Sequence, residues 1–256
     1  MIVSSWIDGQ IGHVEITRPE QRNALDTETL KELTLAFEKL ASNRDVRCLI
    51  LTGAGRSFSA GGDLEAVRRQ TVDQTIAQNC ALLKAVDVLE RLPTPSIAAL
   101  QGHALGGGFE LALGATVRIA SKSAKVGFPE VRIGLIPGGG GTSRLMNLVP
   151  KAAALRLLVT GEIIDADEAL KIGLISDVVA DDELANAAAQ LAGEIASNGP
   201  LAIRAVREIF RLQCDGATAG AQAETDRRLP EILASVDLRE GLAAFAQRRP
   251  PEFTGR

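Results

Sequence analysis

The 256-residue sequence predicts an α/β fold of repeated strand–helix units followed by a helical C-terminal region. Three observations carry that expectation. Apolar runs at 46–51, 95–100 and 115–120 have the length and continuity of buried strands. The first two end in glycine-bearing loops, and segments of helical period follow them. Beyond Leu145 such runs thin out and alanine-rich helical patterns take over.

Asp8-Gly9 lies between two strand-like runs, Ile2 to Ile7 and Ile11 to Ile16, and reads as a hairpin turn. Residues 18–25 form a loop, and Asp26 then caps a helix that places Leu30, Leu33, Phe37 and Leu40 on one face. A buried strand at 46–51 leads to a second glycine-bearing loop at 53–64. Residues 73–92 carry Ile76, Leu83, Val86 and Leu89 at helical spacing. A strand at 95–100 enters Gly102-His103-Ala104-Leu105-Gly106-Gly107-Gly108-Phe109-Glu110, and Leu111-Ala112-Leu113 continues as a helix. Another strand precedes Gly127-Phe128-Pro129-Glu130, and Gly134-Leu135-Ile136-Pro137 opens a run of four glycines, 138–141. Asp165-Ala166-Asp167-Glu168 has the pattern of a capping box, with Gly173 as the stop. Helices are expected near 182–197, 200–214, 221–234 and 238–247, with a shift in composition near Asn198-Gly199-Pro200.

Composition narrows the function classes. At 46% hydrophobic the chain has material for a sizeable core, and its 23% charged residues are ordinary for a soluble domain. A net charge of −4 without a basic tract gives no footprint for nucleic acid. Cys48, Cys80 and Cys214 are odd in number and unpaired in spacing, so neither a zinc site nor a disulfide framework is expected. No apolar run reaches membrane-spanning length and the N-terminus lacks leader character, so a cytoplasmic protein without a membrane partner is expected.

The glycine loops invite a nucleotide reading, which the residues reject. Gly53-Ala54-Gly55 is followed by Phe58 where a dinucleotide fingerprint needs its third glycine. The run at 138–141 lacks the Gly-Lys-Ser/Thr of a P-loop. No Gly-x-Ser-x-Gly is present, and His13 and His103 match no metal-ligand spacing. What remains is a pair of glutamates, Glu110 and Glu130, with glycine loops at strand-to-helix junctions. There the free N–H groups at a helix start suit an anion or a developing oxyanion. Glu110 sits in an apolar run, and burial would raise its pKa toward acid–base use. The residues alone leave a second reading open, in which Glu110 is a solvated carboxylate at a helix start and the glycines are close-packed turns.

Several stretches, in order, make the sequence resemble the enoyl-CoA hydratase/isomerase (crotonase) family over essentially its whole length. They are Arg22-Asn23-Ala24-Leu25, Gly53-Ala54-Gly55 with Phe58-Ser59-Ala60-Gly61-Gly62-Asp63-Leu64, residues 102–110, Phe128-Pro129-Glu130 with 134–142, 160–166, 240–245 and 253–256. The resemblance implies a spiral core of ββα units over residues 1–197 and a C-terminal helical oligomerisation region over 198–256. It implies oxyanion-hole N–H donors at Gly62 and Gly107, and catalytic carboxylates at Glu110 (base) and Glu130 (acid). Contacts to an acyl-CoA thioester are implied at Arg22, Ala24, Ala60, Gly62, Asp63, Leu64 and Gly107. No separate cofactor is implied, because coenzyme A is part of the substrate. Trimers or hexamers are implied, for which Leu201, Ile203, Val206, Ile209 and Phe210 offer an apolar stripe.

Retention of both glutamates favours hydration of an enoyl-CoA. A double-bond isomerase, a hydratase for a specialised acyl group such as a carnitine-type one, and a non-catalytic CoA-binding protein are the alternatives. Glu65 stands where many hydratases carry a lysine after Asp-Leu/Ile. Gly107 is expected to line solvent, with room for a side chain as far as the fold is concerned.

Overall fold

The computed structural model describes residues 2–256. Gly9, at φ +55°, closes the hairpin between β1 (Val3–Asp8) and β2 (Ile11–Ile16). Asp26 caps α1 (Thr27–Ser42) by accepting the Thr29 N–H at 2.8 Å. Leu30, Leu33, Phe37 and Leu40 are all buried, as their spacing predicts.

β3 (Cys48–Gly53) then pairs parallel with β2, and after α2 (Leu64–Arg69) and α3 (Val72–Arg91) the chain returns as β4 (Ser96–Leu100) beside β3. Next come β5 (His103–Leu105), α4 (Gly107–Leu113), β6 (Val117–Ser121) and β7 (Lys125–Gly127). After them follow α5 (Gly141–Leu148), α6 (Lys151–Thr160), β8 (Ile163–Asp165), α7 (Ala166–Lys171) and β9 (Asp177–Val179). The main sheet runs β1-β2-β3-β4-β6-β9, parallel from β2 onward. A second, smaller sheet runs β5-β7-β8. These three-residue strands are too short to show a period, so the sequence expectation omits them.

The small sheet continues as single backbone bridges into the earlier loops. Ser59 donates its N–H to the His103 carbonyl at 2.9 Å and accepts the Leu105 N–H at 3.0 Å. Ala60 donates to the Arg22 carbonyl at 2.9 Å, and Leu25 donates to that of Gly61 at 2.8 Å. The strands β2, β3, β4 and β6 are thus each followed by a short extended piece stacked in the ladder, then by a helical turn or helix. This is the repeated ββα spiral.

One face of the main sheet covers the large core, which holds Phe37, Phe58, Phe109 and Phe128. On the other face, α8 (Leu184–Ala196) packs Leu184, Ala188 and Ala192 against Cys48, Ile50, Ile97, Ala99 and Ile119. The polypeptide ends in α9 (Pro200–Cys214), α10 (Thr218–Leu233) and α11 (Val236–Gln247). Within α9, Leu201, Ile203 and Ile209 are half-buried while Val206 and Phe210 are exposed. On α3, Val86 and Leu89 are buried as expected, but Ile76 and Leu83 are exposed. The buried stripe there runs through Gln78, Leu82, Ala85, Val86 and Leu89 instead, rotated round the helix from the apolar set. Asp165 does cap α7 by accepting the Glu168 N–H at 2.9 Å, and Gly173 ends that region at φ +85°. No helix among the described residues is long and apolar enough to cross a membrane.

Asn23, fully buried with φ +56°, ties two loops together. Its Nδ2 donates to the carbonyls of Ala54 (2.9 Å) and Ser57 (2.7 Å), and its Oδ1 accepts the Arg18 N–H at 2.9 Å. Asn23→Ala strips three buried or half-buried backbone groups of their partner and puts alanine in the left-handed region, so a loss of about 3 kcal/mol or more is expected. Equilibrium denaturation reads this directly; a loss under about 1 kcal/mol would show that water replaces the amide.

Candidate active site

The backbone ladder brings the two glycine loops together. A Cβ built on Gly107 would lie 3.7 Å from the Gly62 nitrogen and 3.0 Å from Leu82 Cδ2. Gly107 is the first residue of α4, where an N–H has no intrahelical acceptor. Among the described residues, neither the Gly62 nor the Gly107 N–H has a protein partner. Two free donors from different turns of the spiral therefore lie side by side. The expectation that Gly107 lines solvent is corrected: it is buried against Leu82, because the N-terminus of α4 is wedged beneath α3. Gly62 is the exposed member, and a Cβ there would meet nothing within 4 Å.

Glu110, one turn into α4, is 1% exposed. Its Oε1 accepts the Gly141 N–H at 2.8 Å, and the Gly139 backbone lies close against its Oε2. Burial raises its pKa; the Gly141 and Gly139 backbone and the Arg144 guanidinium pull it back toward the anion. Glu130 lies on a 3₁₀ turn, Pro129–Ile133, directly after β7. Burial pushes its carboxyl up to about 7, its own N–H lowers it, and the neighbouring Glu110 charge raises it further. Its Oε2 is buried without a protein partner. On the other side, a Cβ on Gly106 would sit 2.9 Å from Glu130 Oε1, so the carboxyl is seated against bare backbone. The site therefore holds two carboxyls of unlike environment beside two free N–H donors.

The whole chain has relatives among known proteins. The family model described as Enoyl-CoA hydratase/isomerase matches residues 7–256. The chain belongs to this family. A short-chain-enoyl-CoA hydratase of Clostridium acetobutylicum is 38% identical over 96% of this chain and 94% of its own. The 2,3-dehydroadipyl-CoA hydratase of Escherichia coli is 36% identical over 94% of each chain. The crystal structure of an enoyl-CoA hydratase from Bacillus anthracis superposes with a TM-score of 0.96 at 33% identity, covering 100% of both chains. The spiral described above is the crotonase fold.

Within this crotonase the other anticipated contacts fall into two groups. Ala60 lies in the ladder, half-buried beside Gly62, while Ala24 precedes the Leu25 rung and its carbonyl accepts from Arg18 Nη1 at 2.7 Å. Arg22 is exposed, in the left-handed region at φ +52°, and its carbonyl is the one that Ala60 engages. Asp63 caps α2 by accepting the Ala66 N–H at 3.0 Å and faces Arg18 at 3.8 Å. Leu64, next to it, is exposed. Glu65 is solvent-exposed and pairs only loosely with Arg68 and Arg69, at 3.9 and 3.7 Å.

Sequence reasoning did not single out Arg18 or the role of the 138–141 run. Arg18 is almost buried and joins Asp26 at 2.9 Å to Asp63, locking the loop that carries Ala24 against the one that carries Gly62. Its signal was absent because an arginine before a proline in a loop looks like any surface cation.

A carboxyl held at about 7 in the folded chain, against an ordinary 4.5, keeps its proton longer when folded. The stability this confers is complete below pH 4.5 and is lost as pH rises through 7. Glu130→Gln should therefore melt above the wild type at pH 8, by roughly a few degrees, and the difference should close toward pH 4. Thermal midpoints at the two pH values check it, and a constant offset would contradict the assignment.

Proposed function

We propose that this protein is an enoyl-CoA hydratase, adding water across the 2,3 double bond of an enoyl-CoA to give a 3-hydroxyacyl-CoA. The observation that carries the reading is the pairing of unlike carboxyls, Glu110 and Glu130, with the free N–H groups of Gly62 and Gly107. In this mechanism the thioester oxygen accepts from both glycine N–H groups. Glu110 takes a proton from water as the water oxygen bonds to C3, and the π electrons move through C2 onto the thioester oxygen. Glu130 then delivers its proton to C2 as the enolate collapses. Negative charge gathers on the oxygen only during reaction, so donors fixed in advance stabilise the transition state more than the substrate, by about 3–4 kcal/mol each.

The division of labour follows from the surroundings. The Gly141 N–H, the Gly139 backbone and Arg144 support the Glu110 anion, as a base needs. Glu130, held to about 7 with one oxygen lacking a donor, keeps a proton to give. No step calls for a cofactor beyond the coenzyme A of the substrate. The neighbourhood of Arg22, Ala24, Ala60, Asp63 and Leu64 is the side on which the coenzyme enters. Cytoplasmic work suits three cysteines that all remain as free thiols.

Loss of the conjugated-thioester absorbance of crotonyl-CoA tests the reading. Glu110→Gln and Glu130→Gln are each expected to lower kcat by about two orders of magnitude or more. An effect confined to KM in both would make them binding groups only. A Glu110→Gln enzyme that still shifts double bonds would make the protein an isomerase, and CoA binding without turnover on any enoyl-CoA would make it a scaffold.

The functional unit is a homotrimer or a hexamer built on the region 198–256. Val206 and Phe210 on α9 are 64% and 67% exposed, and Phe245 on α11 is 86% exposed, an apolar surface that suits burial between subunits. Light scattering on the eluting protein should give three or six times 27.0 kDa, whereas a monomer at micromolar concentration would return the stripe to plain surface.

A further inference from the structure

The four glycines at 138–141 would be a floppy loop in isolation, yet the Gly141 N–H holds the Glu110 carboxylate at 2.8 Å and the Gly139 backbone lies against its other oxygen. The structure shows what holds the loop. In a trans peptide the C=O and N–H point in opposite directions, so gripping a carbonyl aims the next N–H the other way. The Gly138 carbonyl, which shares a plane with the Gly139 N–H, accepts from Asn79 Nδ2 at 3.0 Å. The Gly139 carbonyl accepts from Arg144 Nη1 at 3.2 Å. The Gly140 carbonyl, which shares a plane with the Gly141 N–H, accepts from Ser143 Oγ at 3.0 Å and the Arg144 N–H at 3.2 Å. Three successive peptide planes are each held at the carbonyl end, and the outer two, which carry the Gly139 and Gly141 N–H groups, lie against Glu110.

Arg144 is the centre of this arrangement. Its side chain is 11% exposed, its Nε and Nη2 reach Glu90 Oε2 at 3.1 and 2.7 Å, and Nη2 also reaches Asp87. The guanidinium is thereby fixed to α3 on one side and to the glycine loop on the other. The loop passes so close that a Cβ at Gly140, which has φ +89°, would collide with Nη1. The charged groups around Glu110 are Glu130 from the 3₁₀ turn and Arg144 from α5, with Asp87 and Glu90 of α3 on the far side of Arg144.

We propose that Asn79 and Arg144 are positioning residues, which never touch substrate: Asn79 orients the plane of the Gly139 N–H, and Arg144 pins the Gly139–Gly140 plane between it and the Gly141 N–H, so that the run is held facing Glu110, the base. This rests on the hydratase reading for its kinetic consequence but not for its structural one. Arg144 also favours the Glu110 anion by its charge, so its loss moves the protonation of Glu110 to higher pH.

The test compares Arg144→Met, Arg144→Lys and Asn79→Ala. With 13C-labelled glutamate side chains, and Glu110→Gln to assign the signal, the Glu110 titration midpoint is expected to rise by about half a pH unit or more in Arg144→Met. That readout needs no turnover. On crotonyl-CoA, Arg144→Met should lower kcat about tenfold or more with KM nearly unchanged, and the acid limb of kcat/KM should move up with the titration. Arg144→Lys keeps the charge but not the fork, so it should restore the midpoint and not the rate. Asn79→Ala, on an exposed side chain with no core role, should slow turnover several-fold at an unchanged melting temperature. In the Glu110→Gln background these losses should vanish. An unmoved Glu110 midpoint in a folded Arg144→Met protein, or losses that simply add to that of Glu110→Gln, would overturn the inference and leave the hydratase reading standing. A wild type inactive on every enoyl-CoA, with the midpoint shift present, would sink the hydratase reading and leave the positioning role intact.

Discussion

Ser59 bonds through its backbone to both ends of β5, through its hydroxyl to the Asn23 carbonyl at 2.7 Å, and through its neighbours Ala60 and Gly61 to Arg22 and Leu25. The site depends on this stacking of one spiral turn on the next. Gly62, Gly107 and Glu130 come from loops separated by dozens of residues, and each follows directly on a rung of the ladder. A rung fixes position along and across the stack, so the loops need no further scaffold to face one another. The cost is very close backbone approach. Gly108 lies against the Ser59 carbonyl so tightly that a Cβ would fall 2.6 Å from it, which makes that glycine a packing requirement and not a catalytic one.

Onto this frame the fold places two buried carboxyls that differ in what surrounds them. Both lose hydration, and for both burial is the largest influence on protonation. Glu110 recovers part of the loss through the Gly141 N–H, a backbone donor that cannot be neutralised. Glu130 recovers less, and its buried Oε2 has no protein donor at all. A buried carboxyl oxygen left without a donor costs stability. The strain is local to the site, because the remainder of the core around Phe58, Phe109 and Phe128 is apolar and closed.

Much of the fold was legible in the sequence. Caps at Asp26 and Asp165, the Asp8-Gly9 turn and the apolar runs of the main sheet each have a local cause, and each forms where that cause lies. The site was legible as a set of residue types: Glu110 sits in an apolar run and is buried, and the Gly62 and Gly107 loops do meet. Other features depend on contacts between distant segments and leave no local trace. The three-residue strands β5, β7 and β8 exist only because the turns stack. The exposure of Ile76 and Leu83 is set by what packs on α3, for which apolar spacing is no guide when Gln78 takes a buried place by donating to the Leu25 carbonyl at 2.8 Å. Asp63 matches a family position in sequence, but its carboxylate is engaged at the start of α2 and with Arg18.

The two kinds of glycine loop show why composition could go no further. At Gly62 and Gly107 the absent side chains leave N–H groups without protein acceptors. At Gly139 and Gly141 the same absence lets backbone lie against the Glu110 carboxylate. The first arrangement leaves its donors open; the second closes onto a charge already in the protein. What separates them is which element lies opposite, and that is decided by the order in which the spiral stacks its turns. A run of glycines therefore announces only that backbone will do the work of side chains. Whether its donors stay open or close onto a side chain depends on the carboxylate that does or does not face it, and here Glu110 faces one loop with its side chain while its helix begins in the other.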